Sequence, residues 1–223
     1  MNRELFIKAI TRFFAGLVIV GLLLLLPAGT FRYPQGWLLL SILFIPMFIA
    51  GLVMMKKNPE LLKKRLNAKE KETEQKEVIL FSGIMFLAAF VSAGLSFRFG
   101  WLMLPFPVSI IFSIVFLAAY ALYAEVLREN TYLSRTIEVQ EDQKVIDSGL
   151  YGVVRHPMYM ATVFLFFAMP LVLGSVISFV IMLCYIPIII KRIRNEEQVL
   201  TKDLQGYEAY RKKVKYRLIP FIW

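Results

Sequence analysis

Two short clusters hold the polar side chains best placed to act on a ligand. In SGLYGVVRHPMY, residues 148 to 159, Arg155 and the only histidine, His156, stand directly before a proline. Pro157 suits the first turn of a helix, where its missing N–H costs nothing, so His156 takes the N-cap position. The free backbone N–H groups and positive partial charge of such a helix start favour an anionic group, here joined by an arginine and a titratable imidazole. In KRIRNEEQVL, residues 191 to 200, Arg192 and Glu196 lie four apart and share one helical face. An arginine can fork onto a carboxylate and a glutamate can hold an ammonium, so the chemistry on offer is recognition and positioning of charged groups. Taken singly, each group has a plainer explanation. Arg155, Arg192 and Arg194 can be snorkelling anchors, Arg192 with Glu196 a surface pair, and Tyr151 with Tyr159 part of an interfacial aromatic belt.

The elements that position these clusters are apolar. Hydrophobic residues make up 58% of the chain and charged residues only 19%, with a mean hydropathy of +0.64, against the roughly 25% charged content of soluble domains. Uncharged runs over 13 to 31, 37 to 55, 78 to 97 and 99 to 124 are each near the ~20 residues a spanning helix needs. The first is read as a span rather than a cleaved signal peptide, since no small-residue cleavage pattern follows it. The run over 157 to 190 would measure about 50 Å as one helix, too long for one crossing, and is expected to fold back near Gly174 and Ser175. The sequence therefore predicts an all-α integral membrane protein with about six crossings, the last two a short helical hairpin.

Placing the N-terminus in the cytoplasm puts 24 of the 26 lysines and arginines on that side and leaves only Arg32 and Arg98 outside, as the positive-inside rule requires. Both termini are then cytoplasmic, in the plasma membrane of a prokaryote or the endoplasmic reticulum of a eukaryote. The net charge of +10 is spread between apolar segments and at the chain ends, which fits contact with membrane lipids and gives no reason to expect nucleic acid. Cys184, the single cysteine, lies in an apolar run, which leaves no intramolecular disulfide and no zinc cluster, and no metal is expected.

The hairpin returns to the side on which it starts, so both polar clusters end in one layer. That arrangement predicts a single cytosolic pocket, roofed by the loop over 130 to 151, closed by the C-terminal helix and open below to lipid. Residues 1–124 then form the N-terminal spans and 125–223 the catalytic region. Within the loop, TIEVQ and KVID alternate in strand fashion around EDQ, the pattern of a small hairpin. The mixed-charge loop over 56 to 77 reads as a solvated connector without chemistry.

The pattern G-x-Y, four residues, H-P-x-Y, then R-x-x-x-E-E-x-x-L and a Tyr-rich helix ending in Ile-Pro resembles the isoprenylcysteine carboxyl methyltransferase family, membrane methyltransferases related to phospholipid methyltransferases. The likeness covers roughly residues 130 to 223; the first 100 match only as generic spans. It implies S-adenosylmethionine as cofactor, held by Gln140, by Gln143, Lys144, Val145 and Ile146, by Tyr151, by His156, Pro157, Met158 and Tyr159, and by Glu196. It further implies that Arg192 meets the substrate; Arg155 is a catalytic candidate from its place at the helix start. The loop between Gln140 and Ser148 is shorter than in eukaryotic members, and Gln143 stands where they carry a histidine.

Methyl transfer from a sulfonium to a carboxylate is an in-line displacement whose nucleophile is already ionised at neutral pH, so positioning matters more than a strong base. An amine acceptor would need a base near the methyl, and no side chain stands out for that task. The function implied is methylation of a lipophilic acceptor arriving from the bilayer, foremost the carboxyl of an isoprenylcysteine. Phospholipid N-methylation and an NADPH-dependent sterol reductase are alternatives, the reductases having a related RH-x-x-Y segment but Arg-Asp-Glu where this chain has Glu196 and Glu197. A non-enzymatic transporter or scaffold is a further alternative, although transport favours ionisable groups at mid-bilayer and here the charges sit at helix ends. One chain suffices for the pocket, so a monomer is feasible.

Overall fold

The computed structural model describes residues 3–66, 73–133 and 139–223, with side chains from 76 onward in the second segment. The helices are α1 (Arg3–Ala28), α2 (Pro34–Lys57), α3 (Pro59–Leu66), α4 (Thr73–Phe99), α5 (Phe106–Glu129), α6 (Pro157–Val172), α7 (Val176–Met182), α8 (Tyr185–Asp203) and α9 (Tyr207–Lys213). Four single helices and the α7–α8 stack are long and apolar enough to cross a membrane, whereas α6 is apolar but only 16 residues long. The chain is a multi-pass membrane protein. Side chains such as Leu26, Ile45, Leu80 and Ile114 turn outward from the bundle, as lipid-facing positions should.

Close helix contact is set by small residues. A Cβ on Gly94 of α4 would lie 2.5 Å from the Leu24 carbonyl oxygen and 3.0 Å from the Ala28 nitrogen of α1, so the two backbones touch where bulk is absent. Alanine normally gains ~0.5–1 kcal/mol over glycine inside a helix. Here Gly94→Ala is expected to lose about 1 to 3 kcal/mol through overpacking, read as a lower thermal midpoint in detergent, and a raised midpoint would show that the helices separate without cost.

The run over 157 to 190 does fold back at 173–175. Gly174 takes a left-handed φ of 72° that a side chain would resist, and its carbonyl accepts from Leu104 N at 2.8 Å. Ser175 Oγ donates to Ser96 Oγ at 3.0 Å and accepts from Ser178 N at 3.1 Å, capping α7. Tyr33 Oη, fully buried, donates to the Leu173 carbonyl at 2.9 Å while its ring stacks on Phe97. The returning arm breaks at Leu183–Cys184, four residues before Pro187, whose ring excludes the carbonyl one turn back and which offers no N–H. Helix α8 then runs on from its apolar start through the charged segment to Asp203, so one rigid rod carries Arg192 and Glu196 out of the apolar layer.

Of the expected pair of strands in the loop before the hairpin, TIEVQ falls mostly outside the described residues and KVID forms no strand. Residues 134–138 lie outside the described residues, and 139–147 form no strand. The turn at EDQ is present, with Gln143 N donating to the Gln140 carbonyl at 3.1 Å and Asp142 at a φ of 58°. The flanking side chains serve the cleft described below instead of a ladder. A 3₁₀ turn, Gly149–Gly152, follows. The Glu129 carboxylate at the end of α5 accepts from Leu150 N at 3.0 Å, and it fills the space a Cβ on Gly149 would need.

Candidate functional site

The polar end of the hairpin forms a cleft of about 830 Å³, counting the part open to solvent. Its walls come from the loop after α5, the 3₁₀ turn, the start of α6, the outer half of α8 and the start of α9. Gln143, Lys144, Val145 and Ile146 line the loop side, and Tyr151, Arg155, His156, Met158 and Tyr159 the side of the turn and α6. Arg192 and Glu196 face them from α8. Two sequence candidates are not wall residues. The Gln140 side chain donates to the Tyr132 carbonyl, and its backbone N–H donates to Gln143 Oε1 at 2.9 Å, so it shapes the loop. Pro157 is buried at the first position of α6, where it serves the helix start.

His156 does occupy the N-cap of α6, but its side chain makes no capping bond. The imidazole turns to α8, with Nε2 3.3 Å from Glu197 Oε1 and Nδ1 4.0 Å from Glu196 Oε1. Glu197, 5% exposed, is the hub of the cluster. It accepts from Arg155 Nε at 2.8 Å and, through its other oxygen, from Arg217 Nε at 2.9 Å. Arg155, 8% exposed, also donates from Nη1 to the carbonyls of Val214 at 2.9 Å and Lys215 at 3.1 Å. Arg155 N and His156 N donate to the carbonyls of Tyr216 and Arg217, both at 2.9 Å. The start of α6, the middle of α8 and the C-terminal segment are thus pinned together by one carboxylate. Such a cluster must be fully satisfied to persist when buried.

Arg192 and Glu196 meet at Tyr159. The Tyr159 hydroxyl donates to Glu196 Oε2 and accepts from Arg192 Nε at 3.0 Å, and the guanidinium lies 5.9 Å from the centre of the tyrosine ring. A shared hydroxyl holds the two charged groups side by side at the cleft, a different arrangement from a surface pair closed on itself. Tyr151 is buried, its hydroxyl accepting from Asn130 Nδ2 at 3.0 Å and its carbonyl accepting from Tyr210 Oη at 2.8 Å.

Sequence reasoning missed several residues. Glu197 passed only as the second half of a motif, and Arg217, Tyr207 and Tyr210 only as parts of a tyrosine-rich tail. The connector over 56 to 77 also reaches the site. Lys64 stands over the Tyr132 ring, while Arg65 contacts the Tyr123 hydroxyl and lies 3.8 Å from Met158 Sδ. No periodicity or motif marks these contacts in the sequence; only the packing of α3 creates them.

Residues 108–202 match the model of the isoprenylcysteine carboxyl methyltransferase (ICMT) family. The match starts in α5, takes in the loop, the hairpin and nearly all of α8, and stops before α9. The fold resembles a solved structure of the eukaryotic intramembrane Ras methyltransferase ICMT, with a TM-score of 0.61 and 18% identity over 96% of this chain and 77% of that one. A curated relative, the Delta(14)-sterol reductase TM7SF2 of Mus musculus, is 30% identical over 91 residues, which is 40% of this chain and 22% of the reductase. The chain therefore matches only about a fifth of that relative's length.

Proposed function

Because residues 108–202 match the model of the isoprenylcysteine carboxyl methyltransferase family, we propose that this protein is a methyltransferase using S-adenosylmethionine on a lipophilic carboxylate, foremost an isoprenylcysteine, at the cytosolic membrane face. The observation that carries this reading is the convergence of Tyr159, Arg192 and Glu196 on one hydroxyl inside a cleft at the polar end of an apolar hairpin. The charge pattern supports cytoplasmic termini, and a pocket built from one chain supports a monomer.

The donor set suits the cofactor. An amino-acid end carries an ammonium and a carboxylate, and the cleft offers it Glu196, the N-terminal backbone of α6 and Tyr207, whose buried hydroxyl has no partner among the described residues. S-adenosylmethionine, when bound, supplies an electrophilic methyl on a sulfonium. Glu196 takes the ammonium, with Tyr159 fixing its carboxylate. Val145, Ile146 and Leu200 give the cleft apolar wall, which excludes water around the reacting groups. Arg192 forks onto the acceptor's carboxylate and orients an oxygen that is already ionised, so no side chain has to remove a proton. Arg155, tied to Glu197 and to two carbonyls, holds the wall and acts on the acceptor through its field.

The reductase reading draws on the identity with the mouse protein. Against it stand Glu196 and Glu197, where an Arg-Asp-Glu run is expected of a reductase. Purified protein in detergent, given labelled S-adenosylmethionine with an isoprenylcysteine, phosphatidylethanolamine or a free terpenoid acid, tests all readings together. Label is expected on the isoprenylcysteine first. Stabilisation by NADPH with no response to S-adenosylhomocysteine would overturn the proposal, and label on the phospholipid alone would move it to the amine.

A further inference from the structure

Tyr207 is the first residue of α9 and follows Gly206, whose φ of 86° turns the chain out of α8. Only 3% exposed, it lines the cleft, and its hydroxyl is buried without a hydrogen-bond partner among the described residues. Burial pushes the phenol's pKa up, and the Glu197 and Glu196 carboxylates push it further in the same direction, so the group keeps its proton throughout the physiological range. A buried O–H left without an acceptor costs stability, and natural structures rarely keep one without a reason. The neighbouring Tyr210 shows the contrast: its hydroxyl is spent on the Tyr151 carbonyl.

We infer that the Tyr207 hydroxyl is a ligand-binding donor, given to the α-carboxylate of the cofactor's amino-acid end. The inference rests on the proposed use of S-adenosylmethionine and of Glu196 for its ammonium. In an amino acid the ammonium and the carboxylate hang from one carbon, and Tyr207 lines the same cleft as Glu196 and lies close enough to feel its charge, so a carboxylate beside an ammonium held by Glu196 is the acceptor this hydroxyl suits. A phenol is suited to this beside two glutamates. It offers a proton without adding a charge that would close onto them, as a lysine would.

The test uses the whole protein in detergent and two ligands, S-adenosylhomocysteine and 5′-methylthioadenosine, the second lacking the amino-acid portion. Tyr207→Phe is expected to weaken S-adenosylhomocysteine about tenfold by calorimetry, the worth of one hydrogen bond to a charged group, and to leave 5′-methylthioadenosine unchanged. Without ligand, the variant should melt at the same temperature as the parent or above it, because only an unpaired hydroxyl has been removed. Equal losses for both ligands would put Tyr207 at the nucleoside and overturn the inference. No loss for either, or a lowered melting temperature, would show that the hydroxyl serves the fold. If the parent protein binds neither ligand, the cofactor reading falls and takes this inference with it; if the parent binds and the variant equals it, the inference alone falls.

Discussion

Replacing Glu197 by alanine is expected to destabilise the protein by about 3 to 5 kcal/mol, since removing one partner of a buried ion pair leaves the others charged and unsatisfied. The carboxylate holds Arg155 at 2.8 Å and Arg217 at 2.9 Å, with His156 at 3.3 Å. These three come from the start of α6 and from the C-terminal segment, so the variant loses the link between three parts of the chain at once. Unfolding in detergent, followed by helical signal, measures the loss. The pairing also makes a sharper prediction. Once Glu197 is gone, Arg155→Ala should cost far less than it does in the parent, because it then removes an unpaired charge. Additive losses would mean that the two residues do not depend on each other, and the cluster would be an incidental contact.

The parts of this design that the sequence discloses are those governed by short-range regularity. Bilayer-length runs mark the spans, Pro157 marks the start of α6, and Gly174 with Ser175 marks the point of return. Arg192 and Glu196 are found through helical spacing, since four residues are enough to share a face. The Glu197 cluster is different in kind, because its partners lie 20, 41 and 42 residues away and no local period connects them. Alternation in TIEVQ and KVID suggested strands, yet the four consecutive residues 143 to 146 all line the cleft and form no strand, because a polar–apolar alternation in so short a run does not distinguish a sheet from an irregular wall. The break at Leu183–Cys184 was written in Pro187, but a proline in an apolar run signals either a kink or nothing until the neighbouring helices are placed. Arg65 and Lys64 reached the site only through the packing of α3.

Glu196 and Arg192 are expected to fail in different ways when they are removed. Both contact the Tyr159 hydroxyl, so the fold places them together, but their charges suit opposite ends of the reaction. Glu196→Ala deletes the proposed partner of the cofactor's ammonium. Loss of one member of a partly buried, charge-assisted pair costs ~2 to 5 kcal/mol in the complex it serves, well above the ~0.5 kcal/mol of an exposed ion pair. Calorimetry with S-adenosylhomocysteine in detergent should therefore show binding weakened at least thirtyfold, by the ~1.4 kcal/mol per decade of affinity. Arg192→Ala should leave that binding within severalfold of the parent, because its guanidinium serves the acceptor. Its deficit belongs in turnover with a carboxylate acceptor, where orientation of the nucleophile is lost. Arg192→Lys keeps the charge but cannot fork onto two oxygens, so it should recover acceptor affinity more than turnover. Tyr159→Phe removes the hydroxyl that spaces the two groups, and it should depress both measurements in part. If Glu196→Ala and Arg192→Ala both bind S-adenosylhomocysteine like the parent and keep near-normal turnover with every acceptor, the two charges are a membrane-edge pair held by a tyrosine, and the methyl-transfer site must be sought elsewhere in the cleft.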